Sequence, residues 1–390
     1  MSTSSPPRPP HAGHAKEPAE QVRHPGHAKE PAEQVRHPGH AKEPAEQVWH
    51  AVSAMDEYAA TELVLRMLDE GTAPEDVLLD VIAVVQSRVG EEWAADRISV
   101  AQEHAATAIN DRAVTAVSMH PTARTTATRG RITVACVDGE WHALPARLLA
   151  EVLKLRGWHV DYLGAQVPTP HLIAHLHHTR ADAVALSGSI ATRLPTAHAA
   201  ITACQAVGVP VIVGGAAFGP RGRYARLLGA DAWAPEARAA ADHLARSPLP
   251  RPQPDHQQFD DLPHLADQEY TTVARHSATL VGTVLTALQD TVPALRAHND
   301  AQRERTAEDL AHIVEFLATA LYLDDDELFT RFITWTAQIL AARGVPPHSL
   351  PPALDLLARE LHDFPRATRI LKAATHTLTT AHPTAAGNTA

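Results

Sequence analysis

Between Val137 and Pro145 the chain reads Val-Asp-Gly-Glu-Trp-His-Ala-Leu-Pro, which places Glu140 two residues before His142. A carboxylate at that spacing can accept the N–H of one imidazole nitrogen, fix the tautomer and raise the basicity of the other nitrogen toward a metal. The chemistry on offer is axial ligation of a metal held above the loop. The chain contains 26 His, so a histidine alone says little, and the position of the pair in the fold decides its meaning.

The elements around it place the pair at a strand end. Residues 131–246 alternate short apolar runs with amphipathic segments. The runs are ITVACVD, HVDYLG, AVALSGS, VPVIVGG and the strand of ARLLGADAWAP; the segments between them have helical periodicity. Strands of four to seven residues separated by helices predict a parallel, doubly wound sheet. Ligands in such sheets lie beyond the carboxyl ends of the strands. The Glu140–His142 loop follows the first strand. Ser187-Gly188-Ser189 and Gly214-Gly215-Ala216 follow later ones. Glycines there let backbone approach a ligand closely, and serine hydroxyls can bond it.

Helical segments flank this domain. Met55–Glu70 is apolar-periodic and stops at Gly71; Thr72-Ala73-Pro74-Glu75 signals a second helix, and a third runs from Ser99 to Val117. Together they predict a bundle of about four helices over residues 50–122. Residues 1–49 repeat a 13-residue unit, GHAKEPAEQVRHP, and hold too little apolar surface to fold. A Pro-rich linker spans 248–262. Residues 263–381 read as an all-α domain, with periodic segments near 268–297, 302–322, 326–343 and 350–362.

Composition excludes several classes. A net charge of −11 argues against a nucleic-acid surface. Cys136 and Cys204 fall in apolar segments and read as reduced core residues of a cytoplasmic protein. No apolar run reaches the length of a membrane span. Aromatics are only 4% of the chain, so those in pocket-like loops, Trp93 and Trp141, carry more information than usual.

The Glu140-Trp141-His142 segment resembles the Asp-x-His-x-x-Gly loop of cobalamin-binding domains, with Glu for Asp and with Pro145 where the family has Gly. Leu186-Ser187-Gly188 and Val213-Gly214-Gly215-Ala216 resemble the turns that line the slot for the cofactor's nucleotide tail. The run from Val89 to His104 resembles the helical cap of B12-dependent light-sensing regulators. The resemblance implies a Rossmann-like α/β cobalamin domain with His142 as lower cobalt ligand. It also implies that Trp93, Val100, Glu103 and His104 cover the upper face of adenosylcobalamin, the Trp and Val shielding the adenosyl group and Glu103 bonding its ribose hydroxyls. The regulators carry His directly after the cap Trp, where this chain has Ala94. Either the illuminated state differs from theirs, or His104 is the upper ligand after illumination.

Asp309–Leu317 and Leu328–Trp335 resemble globin-like sensor domains, and the whole order of domains resembles the photocobilins, which pair adenosylcobalamin with a bilin. That resemblance implies a signalling protein rather than an enzyme, with a noncovalent biliverdin or related bilin held by Arg275, His276, His312, Arg331 and Trp335. On the blander reading His312 and Trp335 pack a helical core and the domain dimerises. Two other functions stay open: a corrinoid carrier for methyl transfer, and a light-independent B12 sensor in a stress-signalling assembly. A homodimer and a protein output partner are expected; direct nucleic-acid or membrane binding is not.

Overall fold

The computed structural model describes residues 42–252, 262–296, 299–345 and 347–381. Five parallel strands form its centre: β1 (Arg131–Cys136), β2 (His159–Gly164), β3 (Ala183–Ser187), β4 (Val211–Gly214) and β5 (Ala232–Ala234). They lie in the order β2-β1-β3-β4-β5, so the direction of winding reverses between β1 and β3. Between them run α5 (Ala143–Leu155), α6 (Thr169–Thr179), α7 (Leu194–Ala206), α8 (Arg223–Leu227) and, after β5, α9 (Ala237–Arg246). The parallel Rossmann-like sheet expected from the alternation is observed.

Alternate strand residues bury on opposite faces, as the pleat requires. Ile132, Val134 and Cys136 join one apolar core, and Ala135 and Val137 join another. The first core contains the N-terminal helices, and the second contains the C-terminal ones.

The cap has four helices: α1 (Lys42–Ser53), α2 (Glu57–Asp69), α3 and α4 (Val100–Met119). The third is built from Pro74–Asp76, a π turn Val77–Ile82 and Ala83–Ala94 without interruption. The boundary expected at residue 50 is corrected. Residues 42–49 are helical, and Val48 and Trp49 are buried in the cap core. The repeat masked this, because its last copy differs from the others in this stretch only by Trp49 in place of Arg; Val48 and Trp49 together bury one side of the helix. The tail at 1–41 and most of the linker, 253–261, lie outside the described residues.

The cap docks through charge as well as apolar surface. Arg156, after α5, donates from Nε and Nη2 to Glu75 at 2.7 and 2.8 Å and from Nη1 to Asp242 at 3.2 Å. Arg238, at the start of α9, reaches Asp76 and Asp80. All three cap acids belong to the first turns of α3.

The C-terminal domain comprises α10 (Glu269–Arg275), α11 (Ser277–Thr291), α12 (Pro293–Arg296), α13 (Asp300–Leu323), α14 (Asp326–Ala342), α15 (Leu350–Glu360) and α16 (Pro365–Ala381). The segment expected as one run over 268–297 breaks at His276 and Val292, and α16 adds a helix beyond the periodic segments read from sequence. This domain joins the α/β domain directly. Tyr224 donates to the buried Asp325 carboxylate at 2.5 Å, and His198 Nδ1 lies 2.7 Å from the Tyr322 hydroxyl. No helix among the described residues is long and apolar enough to cross a membrane.

Candidate functional site

The β1–α5 loop sits at the carboxyl edge of the sheet, beside the reversal of winding. Gly139 takes φ +78°, a left-handed turn that a residue with a Cβ adopts at a cost. This turn brings Glu140 back under the sheet edge, where it is fully buried. His142 stands at the N-cap position of α5, its side chain making no capping bond. Pro145, the departure from the family loop, is the third residue of α5, where a missing N–H costs nothing, so the helix starts directly after His142.

Glu140 is held by four donors. Its Oε1 lies 2.6 Å from His142 Nδ1 and accepts the His142 backbone N–H at 2.9 Å. Its Oε2 accepts the backbone N–H groups of Ser189 and Ile190 at 2.6 and 3.0 Å. Burial pushes its pKa up. Against that act the hydrogen bond and charge of the His142 ring and the His142 and Ser189 amides, and the net shift is below the ordinary glutamate value. Glu140 is thus a carboxylate at neutral pH and accepts the Nδ1–H of His142, which leaves Nε2 as the nitrogen that would face a metal. The His142 side chain is 16% exposed.

Cys136 lies beneath this loop, its Sγ 3.8 Å from the His142 carbonyl. Burial, and then the Glu140 charge, push its thiol up to about 12, so it is no thiolate ligand at neutral pH. Both cysteines are free and buried, as expected.

The serine and glycine turns converge on the same edge. Ser187 and Ser189 are buried. Gly188 donates to the Gly214 carbonyl at 3.0 Å and accepts from Ala217 N–H at 3.1 Å. Gly215 takes φ +98°, and a Cβ there would stand 2.2 Å from the Gly188 oxygen. Gly215 is therefore already required by the close approach of two loops of the protein itself. Ala216, half-buried, follows in the same turn.

Three of the cap residues, Val100, Glu103 and His104, belong to the first turns of α4. At its C-terminal end α4 borders an open cavity of about 480 Å³, where Val117 and Ser118 meet Trp158, His159 and Val160 at the amino end of β2. Near its middle, Asp111 lies close enough to Tyr162 for its charge to help raise that phenol's pKa. The helix therefore runs antiparallel to β2. With 20 residues at about 1.5 Å each, it carries its N-terminal end beyond the strand ends, to the His142 side. Val100, Glu103 and His104 are at that end. Glu103 Oε2 is 2.7 Å from His104 Nδ1, and His104 is 64% exposed. Trp93 is half-buried at the end of α3, with the Arg343 guanidinium 5.1 Å from its ring centroid. Trp141 is 57% exposed.

The bilin candidates are spread out. Arg275 and His276 are exposed at the end of α10, and His276 Nδ1 bonds its own helix at Thr272. No hydrogen bond or ion pair among the described residues joins them to Arg331 or Trp335. Arg331 and Trp335 are one turn apart on α14, and the buried Nε of Arg331 has no acceptor among the described residues. His312 stands 3.9 Å from Glu315, which reaches Arg193 at 3.5 Å.

Several working residues escape a reading of motifs. The Ser189 and Ile190 amides that clamp Glu140 carry no side-chain signal. Gln86 and Asn110, buried in the cap, could have been found as polar residues on otherwise apolar helix faces. Arg193 and Arg343 depend on tertiary placement alone. Among the described residues no group of three or more His, Cys, Asp or Glu side chains is gathered for a metal.

Residues 130–245 match the family model of the B12 binding domain, and residues 44–118 match a second model with the same description. Among solved structures, the chain is similar to the monomethylamine corrinoid protein of Methanosarcina barkeri. The identity is 19%, covering 53% of this chain and 98% of that one, with a TM-score of 0.46. A cobalamin-binding protein from Desulfitobacterium hafniense is 23% identical, covering 51% and 96%, with a TM-score of 0.29. The methanol:cobalamin methyltransferase complex of Methanosarcina barkeri is 15% identical, covering 56% and 86%, with a TM-score of 0.29. No curated protein matches the chain. The cap and the α/β domain thus match B12-binding units in order, and a corrinoid is the cofactor they support.

Proposed function

We propose that the chain is a light sensor that binds adenosylcobalamin in the cleft between the cap and the α/β domain. The observation that carries corrinoid binding is the His142–Glu140 pair. A cobalt already held in a macrocycle needs one axial protein donor, and a buried, four-times-bonded carboxylate fixes a single imidazole for that role. The chain fits the group on this count, and its Ser187, Ser189, Gly214, Gly215 and Ala216 turns, on the same strand-end edge, would line the path of the nucleotide tail.

The adenosyl form is favoured by the upper side. Trp93 and Val100 offer apolar cover, and the Glu103 carboxylate offers acceptors for ribose hydroxyls, which a methyl group lacks. When bound, adenosylcobalamin would supply a cobalt–carbon bond that light breaks, releasing adenosyl. The chain's part is a two-state one: Trp93 and Glu103 lose a contact that holds the cap against the α/β domain, which is the differential interaction a switch requires. His104, exposed beside Glu103, would offer an imidazole donor on that side once adenosyl is gone. In the globin-like domain a bilin propionate would meet the unpartnered Nε of Arg331, with Trp335 one turn away against the ring system.

The test is spectroscopic. The purified chain with adenosylcobalamin should show a histidine-ligated spectrum in the dark that His142→Ala abolishes, and it should convert on illumination. Stable binding without photoconversion would move the assignment to a methyl carrier or a light-independent sensor. Failure to retain any corrinoid would remove the reading altogether. Biliverdin should add red absorption that Arg331→Ala weakens.

A further inference from the structure

We infer that Thr107, Gln86 and Asn110 form a donor chain that positions the Glu103 carboxylate and so sets the preference for a hydroxyl-bearing upper ligand; this rests on the corrinoid reading above. Asn110 Nδ2 donates to Gln86 Oε1 at 2.7 Å, Gln86 Nε2 donates to Thr107 Oγ1 at 2.9 Å, and Thr107 Oγ1 donates to Glu103 Oε1 at 3.0 Å. A carboxylate only accepts, so the direction of the whole chain is fixed. Every donor points toward Glu103, and each bond polarises the next.

The placement links this chain to the cleft. Glu103, Thr107 and Asn110 recur at i, i+4 and i+7 on one face of α4. Gln86 reaches them from α3, where Trp93 lies seven residues on, along the same face. The polar seam therefore runs between the two cap helices and opens where Trp93 and Glu103 stand. Its inner end is deeply buried: Asn110 is 0% exposed and Gln86 8%. The Asn110 Oδ1 atom has no donor among the described residues. Burying two amides between helices is costly unless they are hydrogen-bonded, and here their bonds lead on through Thr107 to Glu103. What they hold is a carboxylate whose side chain remains 22% exposed at the cleft end.

A register device for two helices would affect stability and every corrinoid alike. A positioning chain acts through Glu103 and affects only ligands whose hydroxyls meet that carboxylate. The full-length chain, titrated in the dark with adenosylcobalamin and with methylcobalamin, separates the two. Wild type should prefer adenosylcobalamin. Thr107→Val should weaken adenosylcobalamin binding by about tenfold and leave methylcobalamin unchanged, and Thr107→Ser should restore the preference. In a Glu103→Gln background, Thr107→Val should add no further loss, because the residue acts through the one already removed. Gln86→Leu serves as a second variant should Thr107→Val fail to fold. Equal losses for both corrinoids, additive effects of Thr107→Val and Glu103→Gln, or a wild type without preference would each overturn the inference. A wild type that binds neither corrinoid overturns instead the reading on which it rests.

Discussion

Glu140 bears most of the electrostatic burden at the site, because one buried carboxylate serves both a ring nitrogen and the backbone of a neighbouring loop. Its pKa is lowered on folding by the His142 ring and by amides that outweigh burial. A group with a depressed folded pKa adds stability that is fully present above its unfolded value, about 4.3, and is lost as pH falls through the depressed one. Wild type should therefore lose stability on acidification below the ordinary glutamate range, measured as the urea midpoint against pH. Glu140→Gln should show a flatter acid limb. It should also cost about 2–3 kcal/mol at neutral pH, since an amide N–H₂ would face donors and leave at least one buried backbone N–H unpaired. His142 was legible from type and spacing; the Ser189 and Ile190 amides were not, since every residue carries an amide and only the fold aims these two.

At the level of elements, the strand-end turns and the cap helices follow different rules. Gly214-Gly215 was read as a place where a ligand passes close to backbone. The geometry gives a reason internal to the protein, since a Cβ at Gly215 would strike the Gly188 carbonyl. Gly215→Ala should lower stability by about 2 kcal/mol or more even without cofactor, checked by thermal melts of the apo chain. In the cap, the charged latch sits at the first turns of α3, far along that helix from Trp93. Arg156→Ala should cost about 1 kcal/mol, given its partial exposure, and should speed hydrogen exchange across residues 74–80 while leaving the His142 loop unchanged. The α/β elements were read nearly to their ends because apolar runs and breakers coincide there. The helix at 42–53 was hidden inside a repeat, and the stripe of α16, Ala367, Ile370, Leu371, Ala374 and Leu378, is built partly of alanines among threonines, which mutes its apolar signal.

Across the whole molecule, the C-terminal domain touches both the cap and the α/β domain, the two walls of the proposed cleft. Arg343 covers Trp93 and lies 3.4 Å from Asp96 on the cap, while Glu315 meets Arg193, whose stem would press on any Cβ at Gly139 in the His142 loop. A change in the separation of the walls would therefore be felt in α13 and α14. Corrinoid binding to wild type should slow hydrogen exchange at residues 338–345. Arg343→Ala should abolish that protection with little effect on the sheet. Linear sequence hides such pairs: Arg343 and Asp96 are 247 residues apart, and neither belongs to a motif.

The alternation along β1 has a thermodynamic corollary. Ile132, Val134 and Cys136 serve one core while Ala135 and Val137 serve the other, so a single short strand is the shared wall of two apolar compartments. Unfolding of β1 would breach both compartments at once, which couples their melting. Despite three domains, calorimetry of residues 42–381 should give one endotherm whose van't Hoff and measured enthalpies agree.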